Sequence, residues 1–352
     1  MSEYLHLSTA GDEGIYTLTL DVKDSRHNVL SSPVMEELES CLSGLEEEKG
    51  IKALVIRSAK DGSFIAGADI NEIRGLKNPQ EASEKARRGQ EIMNRIEDLP
   101  FPTLAAIDGP CLGGGMELAL SCTARIVTDN PKTKLGQPEV SLGVIPGFGG
   151  TYRLPRLIGI PESLGIILPG KSVDGRKAAK ISLADRIVAP PFLDQEAEKF
   201  ARELASGKQS KRRKRGGLLN KPLIRGIAYR QAKKQLLKRS GKNYPAPLKA
   251  LETIKKGMRR GRKAALTLES NEFGKLAAGR ISKNLTGLFF ASESLKKQPA
   301  LKAGASKRYG HSRELPQAAV LGAGVMGGKI AWLFSKYDIP VVMKDIAWDA
   351  LA

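Results

Sequence analysis

Thr103-Leu104-Ala105-Ala106-Ile107-Asp108-Gly109-Pro110-Cys111-Leu112-Gly113-Gly114-Gly115-Met116-Glu117-Leu118-Ala119-Leu120 decides the fold class. Its first five residues form a short apolar run and read as a buried strand. Three consecutive glycines then open a helix, with Glu117 in or near its first turn. A strand that passes through a glycine turn into a helix belongs to an α/β domain. Working outward, Ile15–Leu20 and Ala53–Arg57 are rich in branched residues and also read as strands. The stretch from Ser32 to Leu38 predicts a helix start, with Ser32 as N-cap, Pro33 at the first position and acids in the first turn.

Two more stretches carry the same kind of turn. Ser63-Phe64-Ile65-Ala66-Gly67-Ala68-Asp69-Ile70-Asn71-Glu72-Ile73 predicts a strand, a small-residue turn and a helix. Small side chains let a ligand approach the backbone, and free N–H groups at a helix start attract anions. Leu135-Gly136-Gln137-Pro138-Glu139, followed by Gly143 to Thr151, places a second carboxylate on a loop. Either glycine turn alone would pass as a tight turn, and a first-turn glutamate as a complement to the helix dipole. Together they suggest more. Two backbone donors converging on one point make an oxyanion hole, and two carboxylates beside it supply general acid and base.

Composition narrows the class. Apolar residues at 41% and charged residues at 27% exclude a wholly disordered chain, a collagen-like repeat and a coiled coil. No run of about 18 uncharged apolar residues occurs, so no membrane span is expected. The N-terminus has neither a secretory nor a transit pattern, and a cytoplasmic location is expected. Cys41, Cys111 and Cys122 make no disulfide framework and read as core or turn fillers. With His6, His27 and His311 the only histidines, no metal site is expected, and His27 reads as a surface or packing residue.

The net charge of +19 is unevenly placed: residues 208–308 hold 29 Lys and Arg against four acids. That shift divides the chain into an α/β part (1–190), a basic helical connector (191–315) and a last part (316–352). Helical patterns run through Leu218–Arg239 and Ala246–Arg260 of the connector. Lys211-Arg212-Arg213-Lys214-Arg215 sits among Ser and Gly and lacks interleaved aromatics, so a solvated loop is expected rather than a nucleic-acid contact.

The last part carries its own motif. Gln317–Leu321 reads as a strand, Gly322-Ala323-Gly324-Val325-Met326-Gly327 as a glycine loop, and Val325–Tyr337 as a helix. A second strand over Pro340–Lys344 ends at Asp345, 18 residues after Gly327. That is the first βαβ of a Rossmann domain. Gly322, Gly324, Val325, Met326, Gly327 and Asp345 are its expected cofactor-binding residues, and the acid favours NAD over NADP.

The three turns of residues 10–190 resemble the enoyl-CoA hydratase/isomerase (crotonase) superfamily. Ala66 to Ile70, Gly113 to Glu117 and Gly136 to Glu139 fall in its order. The resemblance implies a spiral of ββα units that binds a coenzyme A thioester. It implies oxyanion donors at Ala68 and Gly114, catalytic glutamates at Glu117 and Glu139, and substrate-binding positions at Ala66, Gly67, Asp69, Ile70, Gly113, Pro138 and Gly147. Glu117 would activate water, and Glu139 would exchange the proton at the α carbon. The spacing of 22 residues between them is two longer than in many single-function members, with the extra length around Asp129–Thr133.

The order of parts resembles the family of large subunits of the multifunctional fatty-acid β-oxidation enzyme. Glu269–Leu276 and Asn284–Phe290 resemble its linker. That implies hydration of 2-enoyl-CoA, a thiolase subunit as partner, and a 3-hydroxyacyl-CoA dehydrogenase domain of which only the start is encoded. The alternatives are 3-enoyl-CoA isomerase and a non-catalytic polyanion-binding protein on the same fold.

Overall fold

A computed structural model describes residues 3–9, 14–207, 217, 220–240, 243–297 and 317–346. The basic run Lys211–Arg215 lies outside the described residues, as does His311. Two compact units are present, Met1–Phe289 and Phe290–Ala352.

The first unit is built from strands that alternate between two sheets. In chain order these are β1 (Leu5–Thr9), β2 (Ile15–Leu20), β3 (Asn28–Leu30), β4 (Ala53–Ser58), β5 (Ile65–Ala68) and β6 (Thr103–Ile107). Then come β7 (Pro110–Leu112), β8 (Ala124–Thr128), β9 (Lys134–Gly136), β10 (Ser172–Asp174) and β11 (Arg186–Val188). One sheet has the order β1-β2-β4-β6-β8-β11, the other β10-β9-β7-β5-β3. From β2 to β9 each even-numbered strand adds to the first sheet and the following odd-numbered one to the second. A helix then returns the chain, as Ser32–Glu47 does after β3 and Gly114–Ser121 after β7. This is a spiral of ββα units. Parallel pairing runs through both sheets except at one edge of each, where β1 and β10 pair antiparallel.

Residues of β4, β6 and β8 are almost all buried, as expected of parallel strands covered on both faces. The helix predicted at Ser32 begins there, but its N-cap is Ser31, with no side-chain cap bond and no acid in the first turn. An acid from elsewhere takes that role. Glu72 accepts from Ser32 N at 2.6 Å and from Ser32 Oγ at 2.6 Å. Buried Cys111 and Cys122 fill the core, and Cys41 is half-buried. His27 Nδ1 and Ser63 Oγ share a hydrogen bond of 2.8 Å.

Packing does not change at residue 190, the expected boundary. Ala246, Ala250, Leu251, Ile254, Phe273 and Ala277, from helices Pro245–Gly257 and Arg262–Ala277, join the same core as the strands. Helix Arg262–Ala277 lies against helix Pro79–Asp98. Ser83 Oγ donates to Ser270 O at 3.1 Å, and Gln90 Nε2 to Leu266 O at 3.0 Å. Among the described residues of these two helices, Lys255, Lys256 and Lys263 are exposed.

The second unit contains two parallel strands, β12 (Ala318–Leu321) and β13 (Val341–Lys344), joined by helix Val325–Lys336. This is the βαβ order read from the sequence. Among the described residues, no helix is long and apolar enough to cross a membrane.

Candidate active site

The spiral explains why three motifs far apart in sequence meet. β5, β7 and β9 are parallel neighbours, with Ile65 opposite Cys111 and Cys111 opposite Leu135. Adjacent strands are about 4.8 Å apart, and loops at their carboxyl ends open on one side of the sheet. Those loops are Ala68–Ile70, Gly113–Gly114 and Gly136–Glu139. They border a cavity of about 1070 Å³, its open mouth included. All eleven site residues expected in this unit line it: Ala66, Gly67, Ala68, Asp69, Ile70, Gly113, Gly114, Glu117, Pro138, Glu139 and Gly147. In the turn between β8 and β9, Asn130 Nδ2 donates to Asp108 Oδ1 at 3.0 Å.

Gly113 has φ +51° and ψ −124°, a conformation open to glycine and strained for any other residue. Its N–H is committed to Gly136 O at 2.9 Å. Gly114 is the first residue of its helix, and an N–H there has no intrahelical acceptor. A Cβ built on Gly114 would sit 3.4 Å from Ala68 N and 3.3 Å from the Phe148 ring. The amides of Ala68 and Gly114 therefore border one spot beside that ring.

The two carboxyls expected at the site differ in their partners. Glu117, 2% exposed, accepts at one oxygen from Phe148 N at 2.8 Å and Gly150 N at 2.7 Å. Burial pushes it well above the ordinary carboxylate range, as do the charges of Glu139 and Glu269, while the two amides pull it back. Glu139 opens a single 3₁₀ turn, Glu139–Leu142, rather than standing on an irregular loop. Both its carboxyl oxygens are buried without a hydrogen-bond partner. One of them would lie 3.3 Å from a Cβ on Gly113. Burial first, and Glu269 after it, push Glu139 up to about 8.

Glu269 was not among the expected site residues. Its side chain is fully buried. It accepts from Gly149 N at 2.6 Å, Gln90 Nε2 at 3.0 Å, Thr151 N at 2.8 Å and Thr151 Oγ1 at 2.5 Å. One sequence signal could have found it. Ala265, Leu266, Ser270, Phe273 and Ala277 form a helical stripe of small and apolar residues, and Glu269 is the lone acid on it. Phe148 and Phe273, which also line the cavity, carried no such signal.

In the second unit the glycine loop has room for a ligand on one side and none on the other. A Cβ on Gly324 would meet nothing within 4 Å, whereas one on Gly327 would lie 1.7 Å from Gly322 O. The third glycine is what lets the helix pack against the strand. Asp345 accepts from Ala323 N, which ties the end of β13 to the loop.

Comparison with known proteins fits this geometry. A family model described as "Enoyl-CoA hydratase/isomerase" matches residues 10–258, and one described as "3-hydroxyacyl-CoA dehydrogenase, NAD binding domain" matches residues 317–352. The chain is 43% identical over 348 residues to the "Fatty acid oxidation complex subunit alpha" of Aliivibrio fischeri, covering 97% of this chain and 49% of that protein. The protein of the same name from Shewanella amazonensis is 40% identical, covering 96% of this chain and 47% of its own length. The chain thus spans about half the length of these relatives. Among solved structures, an enoyl-CoA hydratase/isomerase from Xanthobacter autotrophicus has a TM-score of 0.60 at 25% identity, covering 88% of this chain and 99% of that one. The enoyl-CoA hydratase from Bacillus anthracis has a TM-score of 0.54 at 27% identity, covering 83% and 96%. The ββα spiral, the pocket at its strand ends and a family match over most of the sequence agree, and the chain belongs to the enoyl-CoA hydratase/isomerase family.

Proposed function

We propose that this chain hydrates 2-enoyl-CoA to 3-hydroxyacyl-CoA, as a step of fatty-acid β-oxidation. The observation that carries this reading is the unequal pair of carboxyls beside the backbone amides of Ala68 and Gly114. Burial raises both carboxyls, Glu117 well above the ordinary range, but two N–H donors on Glu117 oppose that rise, and the carboxylate role is assigned to it on those donors. Glu139 has no donor and is held neutral by burial.

The steps follow from that difference. The thioester oxygen accepts from Ala68 N and Gly114 N. The Glu117 carboxylate removes a proton from water as the water oxygen bonds to the β carbon. The π electrons move toward the thioester oxygen as an enolate, whose charge the two amides stabilise. The Glu139 carboxyl gives its proton to the α carbon, and the enolate electrons form that C–H bond. Product release and proton exchange restore both groups. Hydration in ¹⁸O-labelled water tests the reading: one labelled oxygen should enter the product at the β carbon. A product with no label there, or a shifted double bond instead, would contradict it.

The pH dependence has a defined sign. Glu139 must be protonated to act, so kcat/KM should fall as pH rises through about 8. A rate that is flat to pH 10 would contradict a neutral Glu139.

We further infer that 316–352 forms part of an NAD-binding domain. Gly322, Gly324, Val325, Met326 and Gly327 would hold the pyrophosphate at the helix start, and Asp345 the adenosine ribose. Bound NAD would supply a hydride acceptor for 3-hydroxyacyl-CoA. A dinucleotide lies across several parallel strands, and the described part of this unit has two. Leu321, Val325, Met326 and Trp332 are more than 60% exposed there. The 352-residue chain is therefore expected to bind NAD weakly or not at all in isothermal titration, and micromolar affinity would refute this. A thiolase subunit is the partner we propose, since the relatives are named as subunits of an oxidation complex.

A further inference from the structure

Four consecutive amides, from Phe148 to Thr151, are shared between two buried carboxylates. Phe148 N and Gly150 N donate to Glu117, whereas Gly149 N and Thr151 N donate to Glu269. We propose that Glu269 is a positioning residue for hydration, holding the 148–151 segment so that its other two amides orient Glu117. This rests on the assignment of Glu117 as the base.

The geometry supports a role beyond packing. Glu269 takes four donors on two oxygens; burial raises its carboxyl above the ordinary range, and these hydrogen bonds oppose that rise. A buried carboxylate is costly and persists where its hydrogen bonds are complete. Its helix is itself firmly seated. A Cβ on Gly274 would lie 2.2 Å from Ser83 Oγ and 2.3 Å from Pro79 O, so the helix backbones touch there. Glu269 also lies beyond residue 258, where the hydratase family match ends. The hydratase pocket is thus braced by chain that the family pattern does not include. If Glu269 moves, Gly149 and Thr151 are released, and Phe148 N and Gly150 N lose their aim at Glu117. The amides of Ala68 and Gly114 lie outside the 148–151 segment.

The test is steady-state hydration of a 2-enoyl-CoA by the full 352-residue chain. Gln keeps the size of Glu269 but presents an amide N–H₂ where Thr151 donates. For Glu269→Gln, kcat should fall about 10–100-fold with KM within about twofold, since the interaction lost acts in the transition state. In a Glu117→Gln background, Glu269→Gln should cost less than about twofold further, because its effect runs through Glu117. Parental kcat in Glu269→Gln, or the same loss in both backgrounds, would overturn the positioning role. If Glu117→Gln alone kept parental turnover, the base assignment would fall, and the positioning role with it. Should Glu269→Gln not fold, Thr151→Val removes only the hydroxyl donor. Its kcat should fall about 3–10-fold at unchanged KM, and parental kcat would overturn the proposal.

Discussion

Glu139→Gln lowers turnover of a 2-enoyl-CoA by about 10²–10⁴-fold, and Glu117→Gln does so by a comparable factor, as expected for general acid–base groups. Neither change should alter KM much, because neither carboxyl is assigned a ground-state contact with the coenzyme. Stability should not explain the losses. The Glu139 carboxyl has no hydrogen bond to lose, and Gln fills the same volume. Its folded pKa is raised from 4.5 to about 8, so its contribution to stability is full below about 4.5 and is lost as pH rises toward 8. Gln removes that dependence. The melting temperature of Glu139→Gln at pH 9 should therefore equal or exceed that of the parent. Steady-state kinetics beside a thermal melt separate the two effects. Near-parental turnover in both variants would remove the mechanism assigned here.

The second large effect is at the oxyanion donors. Gly114→Pro removes the amide at the first position of a helix, where proline otherwise fits well. Loss of one preorganised donor costs about 10²–10³-fold in kcat. The ring also adds atoms where the Phe148 side chain stands 3.3 Å from the Cβ position, which narrows the same spot. Turnover should fall by at least the donor's share while the circular dichroism spectrum stays parental. A folded Gly114→Pro chain with undiminished activity would show that the thioester oxygen binds elsewhere.

Much of the site was legible because backbone demands leave marks in sequence. Gly113 needs a left-handed turn, Gly114 a bare helix start, and both announce themselves as glycine. Glu117 and Glu139 stood out as acids beside such turns. The convergence of three motifs was not readable from spacing, since it depends on β5, β7 and β9 being sheet neighbours. That pairing came from family resemblance. Ser31 displaced Ser32 as cap because Glu72, 40 residues away, takes the Ser32 amide. A local pattern has no access to such a partner. The boundary at 190 followed charge, but charge says nothing of the inner faces of helices Pro245–Gly257 and Arg262–Ala277. Their buried faces belong to the hydratase core. Glu269 falls in the stretch that resembles a linker, where the sequence points to no role for it. Its acid lies in a basic stretch, and only the fold brings it to Gly149 and Thr151.

The most direct test is a single assay. The 352-residue chain is mixed with crotonyl-CoA, and the absorbance of the conjugated double bond is followed. It should fall to equilibrium with 3-hydroxybutyryl-CoA, in the absence of NAD, and should not fall with the Glu117→Gln/Glu139→Gln chain under the same conditions. Unchanged absorbance with the folded parental chain, or equal loss with the double variant, would contradict a hydratase run by these two carboxyls.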